Sequence, residues 1–293
     1  MQPSKSRISI VMITHNRAAS AICSLANLSI LPERPDIILV DNGSTDGTPS
    51  LVRDKFPFVH VIALSSNMGA AGRSIGVEHA STPFVAFCDD DTWWEPGSLS
   101  HAVCLFDRHP RLAILTGRIL VGPEEREDPI CAELARSPLP GDPGLPGHPL
   151  LGFMAGASVI RRDAFLDAGG FEPRFFIGGE EELLALDLAA RGWSLRYIPE
   201  LTVHHYPSAH RDVTARRSYL LRNALWSTWL RRPLTSALRR SIKLVRCSPR
   251  DRASLMGCLD AVLGLPWIIR KRRVVPAWME RDLRLLEATR KLP

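Results

Sequence analysis

Three adjacent carboxylates, Asp89 to Asp91, directly follow the apolar run Phe84 to Cys88. Such a run predicts a buried strand of a parallel sheet, and ligands of open α/β sheets bind beyond the carboxyl ends of the strands. Because like charges repel, three carboxylates at that point favour a divalent cation bound together with a phosphorylated ligand. The alternative is a solvated acidic turn that caps the next helix, for which the residues from Thr92 to Pro96 are suitable.

Turn-forming residues also follow the strand predicted at Ile37 to Val40, where Asp41 precedes the polar segment Asn42 to Thr48. Asp41 should therefore lie at the same sheet edge as the segment Thr14 to Asn16, which follows the first strand. Its carboxylate can accept the ring N–H of uracil, thymine or guanine, whereas neutral adenine and cytosine have no such donor in a nucleotide. An Asx turn with a helix N-cap is the alternative use of these residues.

Glycines and a single arginine follow the third predicted strand, in the segment Asn67 to Gly76. Gly69 allows close approach of the backbone to a ligand, and Arg73 can pair with phosphate oxygens. The segment matches neither a Walker P-loop nor the pattern GxGxxG, so its spacing alone does not identify a nucleotide site.

Two further groups of side chains can do proton or metal chemistry: Glu180 to Glu182, which follow a glycine pair, and His204 with His205 at the end of a short strand. A carboxylate that faces the sheet edge could accept a hydroxyl proton, although consecutive glutamates also suit the first turn of a helix electrostatically. A histidine could ligate a metal ion or be an ordinary surface or core residue.

Short apolar runs alternate with helix-length segments, which predicts an α/β fold with a mainly parallel central sheet flanked by helices. The predicted strands are Ile8 to Ile13, Ile37 to Val40, Val59 to Leu64, Phe84 to Cys88, Ala113 to Ile119, Ala155 to Ile160, Ser194 to Tyr197 and Thr202 to His205, and helices are predicted from Arg162 to Gly169 and from Glu180 to Arg191. The segment Pro123 to Pro149 contains seven prolines and no clear periodicity, which predicts a long, mobile, functional loop.

Charge is distributed unevenly along the chain. Residues 1–205 contain 17 Lys and Arg against 25 Asp and Glu, and residues 206–293 contain 20 against 6. A basic helical tail on an acidic body suggests an anionic partner surface, although a solvated helical face is the simpler alternative. The stretch Ala253 to Ile269 is too short and too interrupted to span a bilayer, but Leu265 to Ile269 followed by four cations suits a membrane interface or a helix packed on the sheet.

Six scattered cysteines without a CxxC pair favour reduced thiols. The first residues lack the apolar length of a signal peptide. We therefore expect a cytoplasmic protein.

With its motifs in this order, the chain resembles the family 2 glycosyltransferases of the GT-A fold, which are inverting enzymes that use nucleotide-diphospho-sugars. The resemblance covers Ile8 to His205. The segments that carry it are Thr14-His15-Asn16-Arg17, Asp41 to Thr48, Asp89-Asp90-Asp91 as a DXD motif, Phe175 to Trp193, and Pro199 followed by His205.

The resemblance implies a role for each of these segments. Together with Asn67, Gly69 and Arg73, it implies a nucleotide site at Thr14, His15, Asn16, Arg17, Asp41, Asp89 and Asp90, and a site for Mn²⁺ or Mg²⁺ at Asp91 and His205 with Asp89. Glu181 takes the place of the catalytic base, with Glu180 and Glu182 as neighbouring alternatives. The acceptor is expected under the proline-rich loop, at Phe153, Ala155, Gly156, Gly179 and Glu180.

Three residues depart from the family pattern. The base is Glu181 where aspartate is commoner, Asp187 stands where many members have arginine, and Ser74 stands where many have asparagine. The first departure concerns the base assignment, and the others concern acceptor or sugar contacts.

These features predict a metal-dependent, inverting glycosyltransferase that moves a sugar from UDP, dTDP or GDP to a hydroxyl of a glycan or lipid-linked acceptor, as in cell-surface polysaccharide or glycolipid synthesis. We expect a catalytic domain over residues 1–205, with the mobile loop at 123–150, and a basic helical region over 206–293 that contacts an anionic membrane surface at its cytoplasmic face. Nucleic acid is not favoured as a partner, because the tail has no zinc pattern, aromatic RNP set or recognition helix.

Two alternatives stay open at this point. A sugar-nucleotide nucleotidyltransferase would need a Gly-rich, Arg-containing loop directly after the first strand. A non-enzymatic protein that binds anionic surfaces would use the basic tail alone.

Overall fold

The computed structural model describes residues 6–207 and 213–289. Its strands are β1 (Ile8–Thr14), β2 (Asp36–Asp41), β3 (His60–Ala63), β4 (Phe84–Asp89), β5 (Thr92–Trp94), β6 (Leu112–Val121), β7 (Arg126–Glu127), β8 (His148–Leu150), β9 (Ser158–Arg161) and β10 (Ser194–His205). Its helices are α1 (Ala18–Ser29), α2 (Thr48–Lys55), α3 (Gly72–His79), α4 (Ser98–Arg108), α5 (Pro129–Ala135), α6 (Arg162–Ala168), α7 (Glu180–Ala190), α8 (Val213–Arg231), α9 (Leu234–Cys247), α10 (Arg252–Leu263), α11 (Leu265–Lys271) and α12 (Ala277–Thr289).

One mixed sheet forms the centre of the molecule, with strand order β3-β2-β1-β4-β9-β6-β10-β5. The first four strands in this order are parallel to one another. β9 is antiparallel to both β4 and β6, and β10 runs parallel to β6. With helices on its flanks, this sheet confirms the predicted α/β fold class.

The parallel strands bring the predicted site residues to one edge. Thr14 lies opposite Asp41 in the β1–β2 pairing, and Ile13 lies opposite Asp89 in the β1–β4 pairing. β4 is apolar and buried up to Cys88, because both of its faces are covered, and polar residues begin where the strand leaves the core.

Several elements differ from the sequence predictions. The strand predicted to begin at Ala155 begins at Ser158, after a single 3₁₀ turn. The two short strands predicted at Ser194 to Tyr197 and Thr202 to His205 form one strand, β10, with an irregularity between Ile198 and Thr202. The proline-rich segment is not a continuous loop, since it contains β7, α5 and β8; its mobility stays a prediction.

The C-terminal helices pack on both flanks of α7. Phe175 and Leu183 join an apolar cluster with α8, α10 and α11, and Leu186 joins another with Met279 and Leu283 of α12. β10 ends at His205, but the division into two domains stays a prediction.

No single helix in the described residues has the length and apolar character needed to cross a membrane. The pair α10 and α11, which is bent by 52°, meets these criteria only when the two helices are taken together.

Candidate active site

The three adjacent aspartates lie in and beside the turn between β4 and β5, where each has different partners. The Thr92 hydroxyl accepts a hydrogen bond from the Asp89 backbone N–H at 2.8 Å and so closes the turn. The Thr14 hydroxyl donates to Asp90 Oδ2 at 2.9 Å, and Arg17 Nη1 lies 3.3 Å from oxygens of both Asp90 and Asp91. The predicted segment after β1 is therefore in contact with the triple-aspartate turn.

The ionised form of Asp90 is destabilised at this turn. Burial raises the pKa of Asp90 to about 7, because Arg17 and the Thr14 hydroxyl offset only part of the desolvation and of the repulsion from Asp91. A bound divalent cation would offset the same repulsion.

Asp91 and His205 form the candidate metal pair. His205 Nε2 lies 3.6 Å from Asp91 Oδ1, and the backbone N–H of Tyr206 donates to the Asp91 carbonyl at 2.8 Å. Across the described residues, no cluster of three or more His, Cys, Asp or Glu side chains is arranged to hold an ion. A carboxylate and an imidazole at a phosphate-binding edge nevertheless suit Mg²⁺ or Mn²⁺, because such ions take the rest of their ligands from substrate phosphates and water.

His204 contacts side chains outside the aspartate turn. Its Nε2 lies 2.5 Å from Glu95, and its ring stacks on Trp93 with centroids 5.6 Å apart. Of the two adjacent histidines, only His205 contacts the aspartate turn.

Asp89 pairs with Arg73, and its part in metal binding stays a prediction. Arg73 is buried, and its guanidinium also lies in the field of Glu180 and Glu181, which helps to raise its pKa against the opposing effect of burial. A Cβ at Gly156 would lie 2.6 Å from Asp89 Oδ2, so only glycine leaves room for that carboxylate. Arg73 thus contacts the aspartate turn and is close enough to the glutamates of α7 to interact with them electrostatically; phosphate contact by Arg73 stays a prediction.

The predicted nucleoside segments interlock. The Ser44 N–H donates to Asp41 Oδ2 at 2.8 Å, and Asn16, at φ 52°, accepts from the Thr45 N–H at 2.8 Å. His15 Nδ1 lies 2.8 Å from the Asn42 carbonyl. These contacts fix Asp41 and the residues after β1 as one unit.

One carboxylate oxygen of Asp41 is not engaged by the surrounding loops. Its side chain is 1% exposed, and among the described residues Oδ1 is buried without a hydrogen bond. Because an unpaired buried carboxylate oxygen is costly, a ligand N–H would satisfy it.

Asn67 and Gly69 serve the fold in a way that the sequence did not indicate. Asn67 Oδ1 accepts from the Gly69 N–H at 2.8 Å, and the Phe176 carbonyl accepts from the Ala70 N–H at 2.7 Å. Gly69 has φ +59°, and a Cβ there would meet that carbonyl. This glycine packs against the turn before α7; its approach to a ligand stays a prediction.

The three glutamates at the start of α7 have three different surroundings. Glu180 is 3% exposed, and burial together with the charge of Glu181 raises its pKa to about 8. Glu181 is partly exposed, and burial raises its pKa although Arg73 and the Ala155 backbone N–H lower it. Glu182 pairs with Arg240 of α9 at 3.3 Å. Only Glu181 combines proximity to Asp89 and Arg73 with access to open space.

That open space is a cavity of about 780 Å³ beside α7. The walls include Phe153, Gly179 and Glu181, together with leucines of α5, β8, α9 and α12. Of the other predicted acceptor residues, Ala155 is next to Glu181, Gly156 is next to Asp89, and Glu180 is buried; their contact with an acceptor stays a prediction.

The turn before α7 is held by residues that sequence reasoning missed. The Asn223 Nδ2 donates to the carbonyls of Phe175 and Gly178 at 2.7 and 2.6 Å, and Arg222 donates to Phe175 at 3.0 Å. Both lie on α8, about 45 residues away in sequence. An Arg-Asn pair within a helix carries no local signal for this role.

Comparisons with known proteins agree with this geometry. The profile of the family described as glycosyl transferase family 2 matches residues 9–168, more than half of the chain. N-acetylglucosaminyl-diphospho-decaprenol L-rhamnosyltransferase of Mycobacterium tuberculosis is 28% identical over 277 residues, covering 80% of this chain and 90% of the relative.

Two solved structures share the fold. Mannosyltransferase PcManGT from Pyrobaculum calidifontis, in complex with GDP-Man and Mn²⁺, matches with a TM-score of 0.58 at 18% identity, over 99% of this chain and 77% of the other. GalNAc-T7 with UDP, GalNAc and Mn²⁺ matches with a TM-score of 0.65 at 14% identity, over 100% and 59%. At these identities the likeness shows the GT-A-type fold alone, whereas the profile match shows more: the chain is a glycosyltransferase and belongs to glycosyl transferase family 2.

Proposed function

We propose that the protein transfers a hexosyl or deoxyhexosyl group, with inversion, from a UDP-, dTDP- or GDP-sugar to a hydroxyl of a glycan or lipid-linked acceptor, with Mn²⁺ or Mg²⁺ as cofactor. The observation that carries this proposal is the set of contacts from Thr14 and Arg17 through the aspartate turn to Arg73, whose guanidinium lies in the electrostatic field of Glu180 and Glu181. Donor-binding and proton-accepting groups therefore share one site.

On the donor side, Asp41 Oδ1 accepts the ring N–H of the base, and the interlocked loops around Asn16 hold the nucleoside. Asp91 and His205 would hold the metal ion, which when bound supplies positive charge that stabilises the leaving diphosphate. Arg17, which already contacts Asp90 and Asp91, adds a cation at the same place.

On the acceptor side, Glu181 removes the proton from the attacking hydroxyl. The acceptor oxygen forms a bond to C1 of the sugar while the bond from C1 to the phosphate oxygen breaks, and the nucleoside diphosphate leaves as an anion. Attack from the face opposite the leaving group inverts the anomeric centre. The raised pKa of Glu181 suits a base, because it binds the transferred proton more tightly.

The nucleotidyltransferase alternative is not supported, because the turn after β1 is tied to the loop after β2 through Asn16 and is not a free Gly-rich loop. The non-enzymatic alternative conflicts with family membership.

Membrane contact by the C-terminal helices is part of the proposal. Apolar side chains exposed on α9 to α11 include Leu234, Leu238, Ile242, Val245, Leu255, Leu259, Val262, Leu263 and Ile269. Arginines and lysines flank them, a composition that suits an anionic bilayer at the cytoplasmic face, and the relative from M. tuberculosis is named for a decaprenol-linked compound. Substitution of Leu238 and Ile242 by Glu should abolish co-sedimentation with anionic vesicles; unchanged binding would remove membrane contact from the proposal.

The central test is a screen of nucleotide-sugar hydrolysis with Mn²⁺, with EDTA as the control. We expect hydrolysis of one uridine, thymidine or guanosine diphosphate sugar, and its loss in Asp91→Asn. Asp36→Asn, which changes an exposed carboxylate at the other end of β2, is the matched control. Full activity of Asp91→Asn in EDTA would exclude the metal role, and preference for an adenosine or cytidine nucleotide would exclude the role of Asp41.

A further inference from the structure

A second cavity, of about 690 Å³, lies between α8, the bend that joins α10 to α11, and the turn before α7. It shares no residue with the aspartate turn or with the glutamates of α7. Four of its ten lining residues are cations, Arg174, Arg222, Arg270 and Lys271, and one is a carboxylate, Asp260. The cavity therefore has an excess of positive charge, which favours an anionic ligand.

Arg222 is a buried cation in the wall of this cavity. It is 9% exposed, and among the described residues it forms no salt bridge with a carboxylate. Its Nε donates to Asn223 Oδ1 at 2.9 Å, and its Nη2 donates to the carbonyls of Arg174 and Phe175 at 3.1 and 3.0 Å. All three acceptors are neutral. Burial lowers the pKa of Arg222 although the charge of Asp260 opposes this effect, so an anion in the cavity would stabilise the guanidinium.

Aromatic rings hold two of the guanidinium groups in place. That of Arg222 lies 4.8 Å from the ring centroid of Tyr219 and 4.4 Å from that of Trp226, and that of Arg174 lies 4.9 Å from the ring centroid of Trp267. Such stacking occupies the faces of a guanidinium and leaves its edge able to donate hydrogen bonds. A guanidinium edge held in this way matches the oxygens of a phosphate group.

The bend between α10 and α11 forms the opposite wall. At Gly264, where the two helices meet at 52°, an added Cβ would lie 2.5 Å from Trp226 Nε1, so the bend packs closely on α8. Arg270 and Lys271 at the end of α11 are exposed, and within the described part of the chain neither forms a salt bridge. Their charges are therefore available to a ligand that enters from solvent.

We propose that this cavity binds a phosphate group, with Arg222 as the fixed hydrogen-bond donor and with Arg270 and Lys271 completing the contact. The phosphate belongs either to a soluble phosphorylated compound or to the headgroup of an anionic phospholipid. The second source fits Leu263, which also lines the cavity and is 78% exposed, because an apolar side chain beside cations suits the surface of a bilayer. The site is separate from the sugar-nucleotide site and does not depend on the proposed function.

Calorimetric titration of the full chain with inorganic phosphate tests the site itself. EDTA is present, so that no metal ion bridges phosphate to the aspartate turn, and chloride keeps the ionic strength constant. We expect a saturable component of binding that Arg270→Glu weakens at least about tenfold. Arg273→Glu is the matched control, because Arg273 is also exposed and the substitution changes the charge equally, but it does not line the cavity.

Co-sedimentation with phosphatidylglycerol vesicles separates the two sources of phosphate. A lipid headgroup in the cavity predicts that Arg270→Glu weakens vesicle binding at least about fivefold more than Arg273→Glu does. A soluble ligand predicts equal losses of vesicle binding in the two variants, together with phosphate binding that depends on Arg270. Circular dichroism checks that the variants are folded, and Lys271→Glu repeats both measurements if Arg270→Glu is not.

Phosphate binding that Arg270→Glu leaves unchanged, together with equal losses of vesicle binding in both variants, would overturn the inference. That result would leave nucleotide-sugar hydrolysis intact, and it would leave the test of membrane contact through Leu238 and Ile242 unaffected. Conversely, loss of vesicle binding by the wild-type protein would remove membrane contact from the proposed function, whereas phosphate binding that depends on Arg270 would still support the site.

Discussion

The proposed donor and acceptor sides of the candidate site hold their carboxylates in different ways. On the donor side, Asp89, Asp90 and Asp91 contact Arg73, Arg17 and His205. On the acceptor side, Glu180 Oε2 is buried without a hydrogen-bond partner among the described residues, and the pKa of Glu181 is also raised. Each aspartate of the turn thus lies beside a basic side chain, although burial still raises the pKa of Asp90, and the first two glutamates of α7 are arranged to bind a proton.

The two sides also differ in what supports them. Loops that follow β1, β2 and β4 build the donor side and contact one another directly. The turn before α7 is held by Arg222 and Asn223 of α8, a helix that follows the last strand of the sheet in the sequence. Donor binding should therefore tolerate changes in the C-terminal helices that impair transfer.

The largest effect is expected from Glu181→Gln, which keeps the size of the side chain but removes the proton acceptor. Transfer should fall by about 10²- to 10⁴-fold while donor affinity stays within about twofold. Glu182→Gln is the control, since Glu182 is paired with Arg240. Steady-state transfer rates and donor binding isotherms measure both quantities. A larger loss in Glu182→Gln than in Glu181→Gln would move the base by one residue.

The next largest effect is expected from Asp41→Asn, which tests base recognition on the proposed donor side. The amide oxygen can keep the Ser44 N–H, so the amide NH₂ then faces the base and repels a ring N–H. Affinity for the natural nucleoside diphosphate should fall about ten- to hundredfold, and CDP should gain relative to it. Competition binding measures this change, with Asp36→Asn as control. An unchanged order of nucleotides would contradict base recognition by Asp41.

A smaller effect is expected from Asn223→Leu, which removes the donor to the turn before α7. The carbonyls of Phe175 and Gly178 lose a buried hydrogen bond, so we expect about a tenfold loss of transfer with unchanged donor binding. Ser227→Ala, one turn further along α8, removes a buried hydroxyl that has no hydrogen-bond partner among the described residues, and it should be neutral. A parallel loss of donor affinity would show that the two sides are not separately supported.

The smallest effect is expected from Glu180→Gln, which replaces a buried carboxyl group by a neutral amide of similar size. Burial and the charge of Asp89 raise the pKa of Glu181, so the pH dependence of the transfer rate should change little in this variant. Because the pKa of Glu180 is raised from 4.5 to about 8, the folded wild-type protein loses stability as pH rises through that window. The variant should therefore be more stable than the wild type above that window and equal to it below pH 4.5. Urea unfolding at a series of pH values measures this difference, and equal stability of variant and wild type above pH 8 would contradict the raised pKa of Glu180.

Most of the donor side could be predicted because its residues follow strands directly. Asp41, Asp89 and Thr14 end parallel strands, and an apolar run followed by polar residues identifies such ends. The pairing of Asp89 with Arg73, in contrast, depends on side-chain directions that the sequence does not specify.

The acceptor side could be predicted only in part. Glu181 follows from a local motif, but the support from Asn223 and the cavity under α9 arise from contacts between distant segments. The helix α5 had a signal that was missed, since Asp128 caps it by accepting from the Ile130 N–H at 2.9 Å and Pro129 occupies its first turn.

One ion pair has a consequence for hybrid enzymes. Asp187 of α7 forms a bidentate salt bridge with Arg231 of α8, in which Nε and Nη2 donate to Oδ1 and Oδ2 at 2.6 and 2.7 Å. Asp187 stands where the resemblance leads one to expect an arginine. In this chain the positive partner of the pair is Arg231, which lies in the C-terminal helices. A chimera that joins this tail to a catalytic body with arginine at that place would bury two guanidinium groups against each other, and tails can be exchanged only together with the matching charge on the body.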